Sequence, residues 1–137
     1  MVEDDVSDVE LAKEAISRCS KRGVDVRLNV VPGGEEAIDY LHQEGAYKNA
    51  SRPNLILLDL NMPRVNGYEV LKVVKEDRAL CSIPVVIMTT SNSTEDVEKS
   101  YRMGANCFIS KAKNFTEYLK VMQSIECFWF NVTSLPT

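Results

Sequence analysis

Ahead of the C-terminal tail, two stretches of four residues are apolar without interruption, Leu55 to Leu58 and Val85 to Met88. A strand buried on both faces has this pattern, because one wet face would impose alternation. Pro84, just before the second run, stands where proline is tolerated, at a strand's first residue. A shorter run, Cys107-Phe108-Ile109, ends at Ser110-Lys111. Val24 to Val31 does alternate apolar with polar residues and predicts a half-exposed strand near a sheet edge. Helical spacing fills the intervals. Ser7-x-x-Glu10 is a capping box opening a helix with Val9, Ala12, Ala15, Ile16 and Cys19 on its buried stripe, closed by Lys21-Arg22-Gly23. A short helix after Pro32-Gly33-Gly34 buries Ala37, Ile38 and Leu41, and Gly45 to Pro53 is a polar loop. Past the turn Val65-Asn66-Gly67, Gly67, Val70, Leu71 and Val74 line one helix face. Ser93-x-x-Asp96 opens a helix that reaches Gly104. The last helix, from Asn114, carries Phe115, Tyr118, Leu119, Met122, Ile125 and Trp129 on one face. Val121 and Phe128 widen that face beyond what packing on a sheet requires, which predicts a partner surface.

Strands alternating with helices imply an α/β domain of the doubly wound class, a parallel sheet covered on both sides. Parallel strands place their C-terminal ends on one edge, where such sheets bind ligands. Four strand ends carry a polar group: Glu3-Asp4, after the short apolar start Met1-Val2, then Asp59, Thr89 and Lys111. These four points of sequence are expected to converge in one pocket.

Composition narrows the reading. With 137 residues the chain is one domain's worth, 1–137, ending in an aromatic tail at about 127–137. The net charge of −4, with acids and bases interspersed, offers no basic stripe for nucleic acid. The 4 cysteines lack Cys-x-x-Cys spacing and read as reduced, mostly buried thiols of a cytoplasmic protein. No apolar run is long enough to span a bilayer. His42 is expected to be solvent-exposed on a polar helix face, without a phosphotransfer role. No Gly-x-Gly-x-x-Gly follows the first strand, which disfavours dinucleotide binding.

Three carboxylates at one edge, Glu3, Asp4 and Asp59, would repel one another unless a cation sits among them. Oxygen-only ligation selects a hard ion, and sparse carboxylates with room for water and phosphate oxygens suit Mg²⁺. Thr89 adds a hydroxyl and Lys111 a fixed positive charge. Such a set can accept a phosphoryl group on Asp59, with catalysis mostly by positioning and charge stabilisation.

Glu3-Asp4-Asp5, Asp59-Leu-Asn61-Met-Pro63 followed by Gly67, Thr89-Thr90 and Lys111, in that order, resemble the receiver domain of two-component response regulators. The resemblance covers essentially the whole chain. It implies a flavodoxin-like five-stranded parallel sheet of order 2-1-3-4-5, with Asp59 as phosphoacceptor and a sensor histidine kinase as donor. It further implies Mg²⁺ held by Asp4, Asp59 and the backbone carbonyl of Asn61, with Glu3 acting through water. Thr89 and Lys111 would bind the phosphoryl oxygens, and Phe108 would be the aromatic switch. Asp5 is expected near the helix N-terminus and not as a further ligand. Ala50-Ser51-Arg52-Pro53, Asn106-Cys107-Phe108-Ile109 and the Phe128-Trp129 tail look like the small single-domain regulators paired with cyanobacterial phytochrome kinases. That likeness implies a homodimer, with Val121, Phe128 and Trp129 as candidate dimer face.

Two features depart from the receiver pattern. Ala112, not Pro, follows Lys111, so a cis bond there would cost about 2.5 to 4 kcal/mol. Only Met1 and Val2 precede the acidic pair, so the first strand is expected to be truncated. Two other functions were open to these residues. An aspartyl-phosphate hydrolase would need an acid two residues after Asp59, where Asn61 stands. An interaction module of the same fold would need no phosphate at all.

Overall fold

Three consecutive apolar residues make up strand β1, Ile56–Leu58, and all three are buried. The computed structural model describes residues 1–20, 25–111 and 114–136, without the side chains of Cys19 and Ser20. β1 pairs in parallel with β2 (Val85–Thr89), and β2 with β3 (Cys107–Ser110), in the register Leu57↔Val86 and Ile87↔Phe108. Side chains alternate across the pleat. Ile56, Leu58, Val85 and Ile87 join one core with helices α2 (Gly34–His42) and α3 (Gly67–Glu76). Leu57, Val86 and Met88 join the other, with helices α1 (Val6–Ser20) and α5 (Phe115–Glu126). Helix α4, Thr94–Arg102, leads into β3. Both faces of the sheet are covered, as expected of a doubly wound fold.

The first two strands of the expected five are reduced to single bridges. Val2 bridges in parallel to Val31 on one side and Leu58 on the other, which keeps the order 2-1-3-4-5. The Val2 N–H donates to Leu57 O at 2.8 Å and its carbonyl accepts from Asp59 N–H at 3.1 Å. The alternating stretch before Val31 is therefore not a strand over its described part, residues 25–30. Its side chains do alternate in exposure, but a strand also needs a hydrogen-bonded ladder, and in this stretch the bridge forms at Val31, to Val2. A cavity of about 660 Å³, lined in part by Val26, Leu28, Leu55, Leu57 and Met122, lies beside it.

Other expectations need local correction. The first helix is capped by Asp5 and not by Ser7: Asp5 Oδ1 accepts the N–H of Ser7 at 2.8 Å and of Asp8 at 3.3 Å. The helix therefore starts earlier, at Val6. Its closure at Lys21-Arg22-Gly23, and the Lys111–Ala112 bond, lie outside the described residues. Within the loop Gly45 to Pro53, residues Gly45–Tyr47 form a 3₁₀ turn. His42 is half-buried, its Nε2 3.3 Å from Asp77 Oδ2. Cys81 and Cys127 are exposed and Cys107 half-buried, all three free, so the thiols are less sheltered than their apolar neighbours imply. After α5 the chain makes a wider, π-helical turn, Cys127–Val132. There Phe128, 52% exposed, meets Trp129 edge-on. Val121 is half-buried against the second core, so of the two surplus residues only Phe128 is exposed. No described helix is long and apolar enough to cross a membrane.

Candidate functional site

The end of β1 runs straight into the first chemical group. Asp59 is buried, 6% exposed. Its Oδ1 accepts the Asn61 N–H at 3.2 Å, and its Oδ2 lies 3.4 Å from Lys111 Nζ. Helix α3 begins hard against this turn. The Gly67 N–H donates to Leu60 O at 3.0 Å, and a Cβ at Gly67 would stand 2.2 Å from Asp59 O. Only glycine allows that approach.

Beside β1, Thr89 closes β2 with its side chain fully buried. Its Oγ1 accepts from the Asn61 Nδ2 amide at 3.2 Å and faces Ser91 N–H at 3.5 Å. Lys111 follows β3, and its N–H donates to Thr89 O at 2.7 Å, which carries the ladder one step past Ser110 and sets where the lysine side chain departs. Its Nζ reaches three carboxylates: Asp8 at 2.7 Å, Glu3 at 2.8 Å and Asp59 at 3.4 Å. Glu3 is 2% exposed, while Asp4 is exposed. The other Glu3 oxygen accepts Asp5 N–H at 3.1 Å. Phe108 is half-buried against the first core, and its N–H donates to the Tyr101 hydroxyl at 3.1 Å.

Burial dominates the charge balance. It pushes the Glu3 carboxyl up to about 7; Lys111 and the Asp5 N–H offset part of this, and the Asp59 charge adds to it. The crowding of acids thus raises Glu3 as expected, but desolvation comes first and repulsion is a smaller cause. For Lys111, burial works to lower the ammonium. Its bonds to Asp8 and Glu3, then the Asp59 charge, prevail and hold it above the ordinary lysine value.

Glu3, Asp4, Asp59, Thr89 and Lys111 are thus brought to one edge, as expected from the strand ends. Asp59, Glu3 and Asp4 each offer a carboxylate oxygen within 4.8 Å of the others. An all-oxygen donor set of this size fits a hard divalent cation. Asn61 enters through its N–H and its side-chain amide. Two participants escaped the sequence reading. Asp8, in the first turn of α1, meets Lys111 across 103 positions of sequence, a pairing that no local spacing signals. Asp96 was read only as part of a capping box. Ser93 Oγ does accept Asp96 N–H at 3.1 Å, but the Asp96 carboxylate turns away to accept from the hydroxyls of Ser91 and Tyr68.

A parallel doubly wound sheet with an acid at the end of its middle strand, flanked by further acids, a threonine and a lysine, is the layout of a receiver. A family model for the response regulator receiver domain matches residues 1–123, and the chain belongs to that family. It is a two-component response-regulator receiver, a phosphoacceptor class of signal-transduction protein. Among curated proteins it is 40% identical over 136 residues to the response regulator Rcp1 of Synechocystis sp., covering 99% of this chain and 90% of that one. Among solved structures it resembles the phosphorylated cyanobacterial phytochrome response regulator RcpA, with 41% identity, a TM-score of 0.91, and 99% and 95% of the two chains covered. It also resembles the Mn²⁺-bound form of Rcp1, with 40% identity, a TM-score of 0.92, and 99% and 96% covered.

Proposed function

We propose that Asp59 accepts a phosphoryl group from the phosphohistidine of a sensor histidine kinase of the phytochrome type, in the cytoplasm, and that phosphorylation alters protein contacts. The observation that carries this reading is the meeting of Asp59, Lys111, Glu3, Asp4 and Thr89 at one sheet edge, with Lys111 Nζ 3.4 Å from Asp59 Oδ2. An Asp59 carboxylate oxygen forms the new O–P bond while the donor's P–N bond breaks. The imidazole nitrogen keeps the electron pair and takes up a proton. Lys111 and the Thr89 hydroxyl bind phosphoryl oxygens, and Lys111 holds the charge that develops on them. Asp4, Asp59, the Asn61 carbonyl and, through water, Glu3 would hold Mg²⁺, which supplies further charge neutralisation and orients the phosphoryl group. To reach the phosphoryl group the Thr89 hydroxyl leaves the Asn61 amide, and Phe108 turns inward behind it. The chain speeds only its own phosphorylation and dephosphorylation.

Incubation with a small acyl phosphate, followed by intact mass, tests the chemistry. The expected result is a gain of one phosphoryl group that needs Mg²⁺ and disappears in Asp59→Asn. No gain at saturating donor and metal would leave only a contact role for the fold. Phe108 ring resonances that stay put on phosphorylation would remove that residue from the switch. The tail supports a homodimer through a face that includes Val121, Phe128 and Trp129, because Phe128 leaves an aromatic edge in solvent. Light scattering should then give a lower mass for Phe128→Ala than for the parent, and equal masses would rule the face out.

A further inference from the structure

Lys111 has three ammonium protons and three carboxylate neighbours, and the one at the shortest distance is not among the residues expected at the site. Asp8 Oδ2 receives Lys111 Nζ at 2.7 Å, against 2.8 Å for Glu3 and 3.4 Å for Asp59. Asp8 is also not in the group of acids whose oxygens gather within 4.8 Å, which comprises Glu3, Asp4 and Asp59. It shares the lysine with the metal-binding acids without belonging to their set.

Asp8 is held in place from both ends of its own backbone. Its N–H donates to Asp5 Oδ1 at 3.3 Å, and its carbonyl faces the hydroxyl of the buried Tyr118 at 3.5 Å. The first turn of α1, which carries Asp8, is thereby tied to both the acidic loop and α5.

A divalent cation among Glu3, Asp4 and Asp59 faces an ammonium already bonded to two of those three acids. The repulsion weakens metal binding unless the ammonium has another anion to draw it off. We propose that Asp8 is a positioning residue for Lys111: it holds the ammonium to one side, leaving Glu3 and Asp59 to the cation while keeping the lysine within reach of a phosphoryl group. This rests on the metal and phosphoryl reading above.

The test is a double-mutant cycle on Mg²⁺ affinity, measured by calorimetric titration of the full chain with the metal alone. Asp8→Asn is expected to weaken Mg²⁺ binding about tenfold, as loss of a residue behind the direct ligands does elsewhere. Asp8→Glu, which keeps the charge, should recover most of that loss. In a Lys111→Met background Asp8→Asn should change affinity by less than about threefold, since only long-range charge remains. An equal drop in both backgrounds would mean that Asp8 acts by charge alone, and no drop in either would mean that it does not act; both overturn the proposal. The Mg²⁺-induced rise in melting temperature, taken on each variant's own baseline, gives the same cycle for a variant of lowered stability. A parent chain that binds no Mg²⁺ would instead remove the metal site itself.

Discussion

Glu3 is the residue at which burial and charge are most directly opposed. Its carboxyl is nearly sealed from water beside Asp59, and Lys111 and the Asp5 N–H compensate in part. Because its folded value is raised from 4.5 to about 7, the folded chain holds the proton more tightly than the unfolded one over that window. The resulting stability is fully present below pH 4.5 and is lost as pH rises through 7. Metal-free protein should therefore melt at a lower temperature at pH 8 than at pH 5, a difference on the order of 2 kcal/mol at about 1.4 kcal/mol per unit. Glu3→Gln removes the titrating group, so its melting temperature should vary less over the same range. A parent and variant with parallel pH curves would show that Glu3 ionises freely.

Between residues and the whole sheet lies the connection from β2 to α4, which Asp96 ties to α3. Its carboxylate accepts from the Tyr68 hydroxyl on α3 and from the Ser91 hydroxyl in the connection, and both bonds hold its pKa below the usual carboxylate value. Lys99 Nζ sits over the Tyr68 ring at 4.0 Å, and Ser110 Oγ donates to Ser91 O at 3.2 Å. The segment just after Thr89 is thus fastened to α3 on one side and β3 on the other. Asp96→Ala should cost about 1 kcal/mol of stability, since both hydroxyls lose their acceptor but are only half-buried and can turn to water. Amide exchange should quicken at Ser91 and Ser93 while α5 is unaffected. Unchanged exchange there would show that the segment is held without Asp96.

What could be read from the sequence at this scale followed burial. The runs Leu55 to Leu58 and Val85 to Met88 gave β1 and β2 because both faces are covered, and Asp59 and Thr89 marked their ends. The alternation before Val31 misled because it reports which side chains meet solvent, whereas a strand also needs a hydrogen-bonding neighbour. Asp8 was missed for another reason. Its partner Lys111 is 103 positions away, and no local pattern shows which side of α1 will face β3. Spacing reads Val121 as surplus to packing on the sheet, but the face of α5 on the second core is wide enough to half-bury it.

Across the whole molecule, the sheet is uneven in strength. β1, β2 and β3 are joined by continuous ladders, whereas among the described residues Val31 is connected to the rest of the sheet through the bridges at Val2. Those bridges include the bonds from Val2 N–H to Leu57 O, Glu3 N–H to Val31 O, Val31 N–H to Met1 O and Asp59 N–H to Val2 O. Local openings should concentrate there, since little else holds the segment in register. Yet Glu3 and Asp4 lie on one side of this seam and Asp59 on the other, so a cation bound to all three would span it. Ligands that bind only the closed form lower the population of the open one by mass action. Saturating Mg²⁺ should therefore slow amide exchange at Val2, Val31 and Asp59 by about tenfold or more, with little change at Ile87 in the middle of β2. Equal protection across the sheet would place the weak point elsewhere. If the seam behaves so, the ambient Mg²⁺ concentration sets the fraction of time for which this edge of the protein is open.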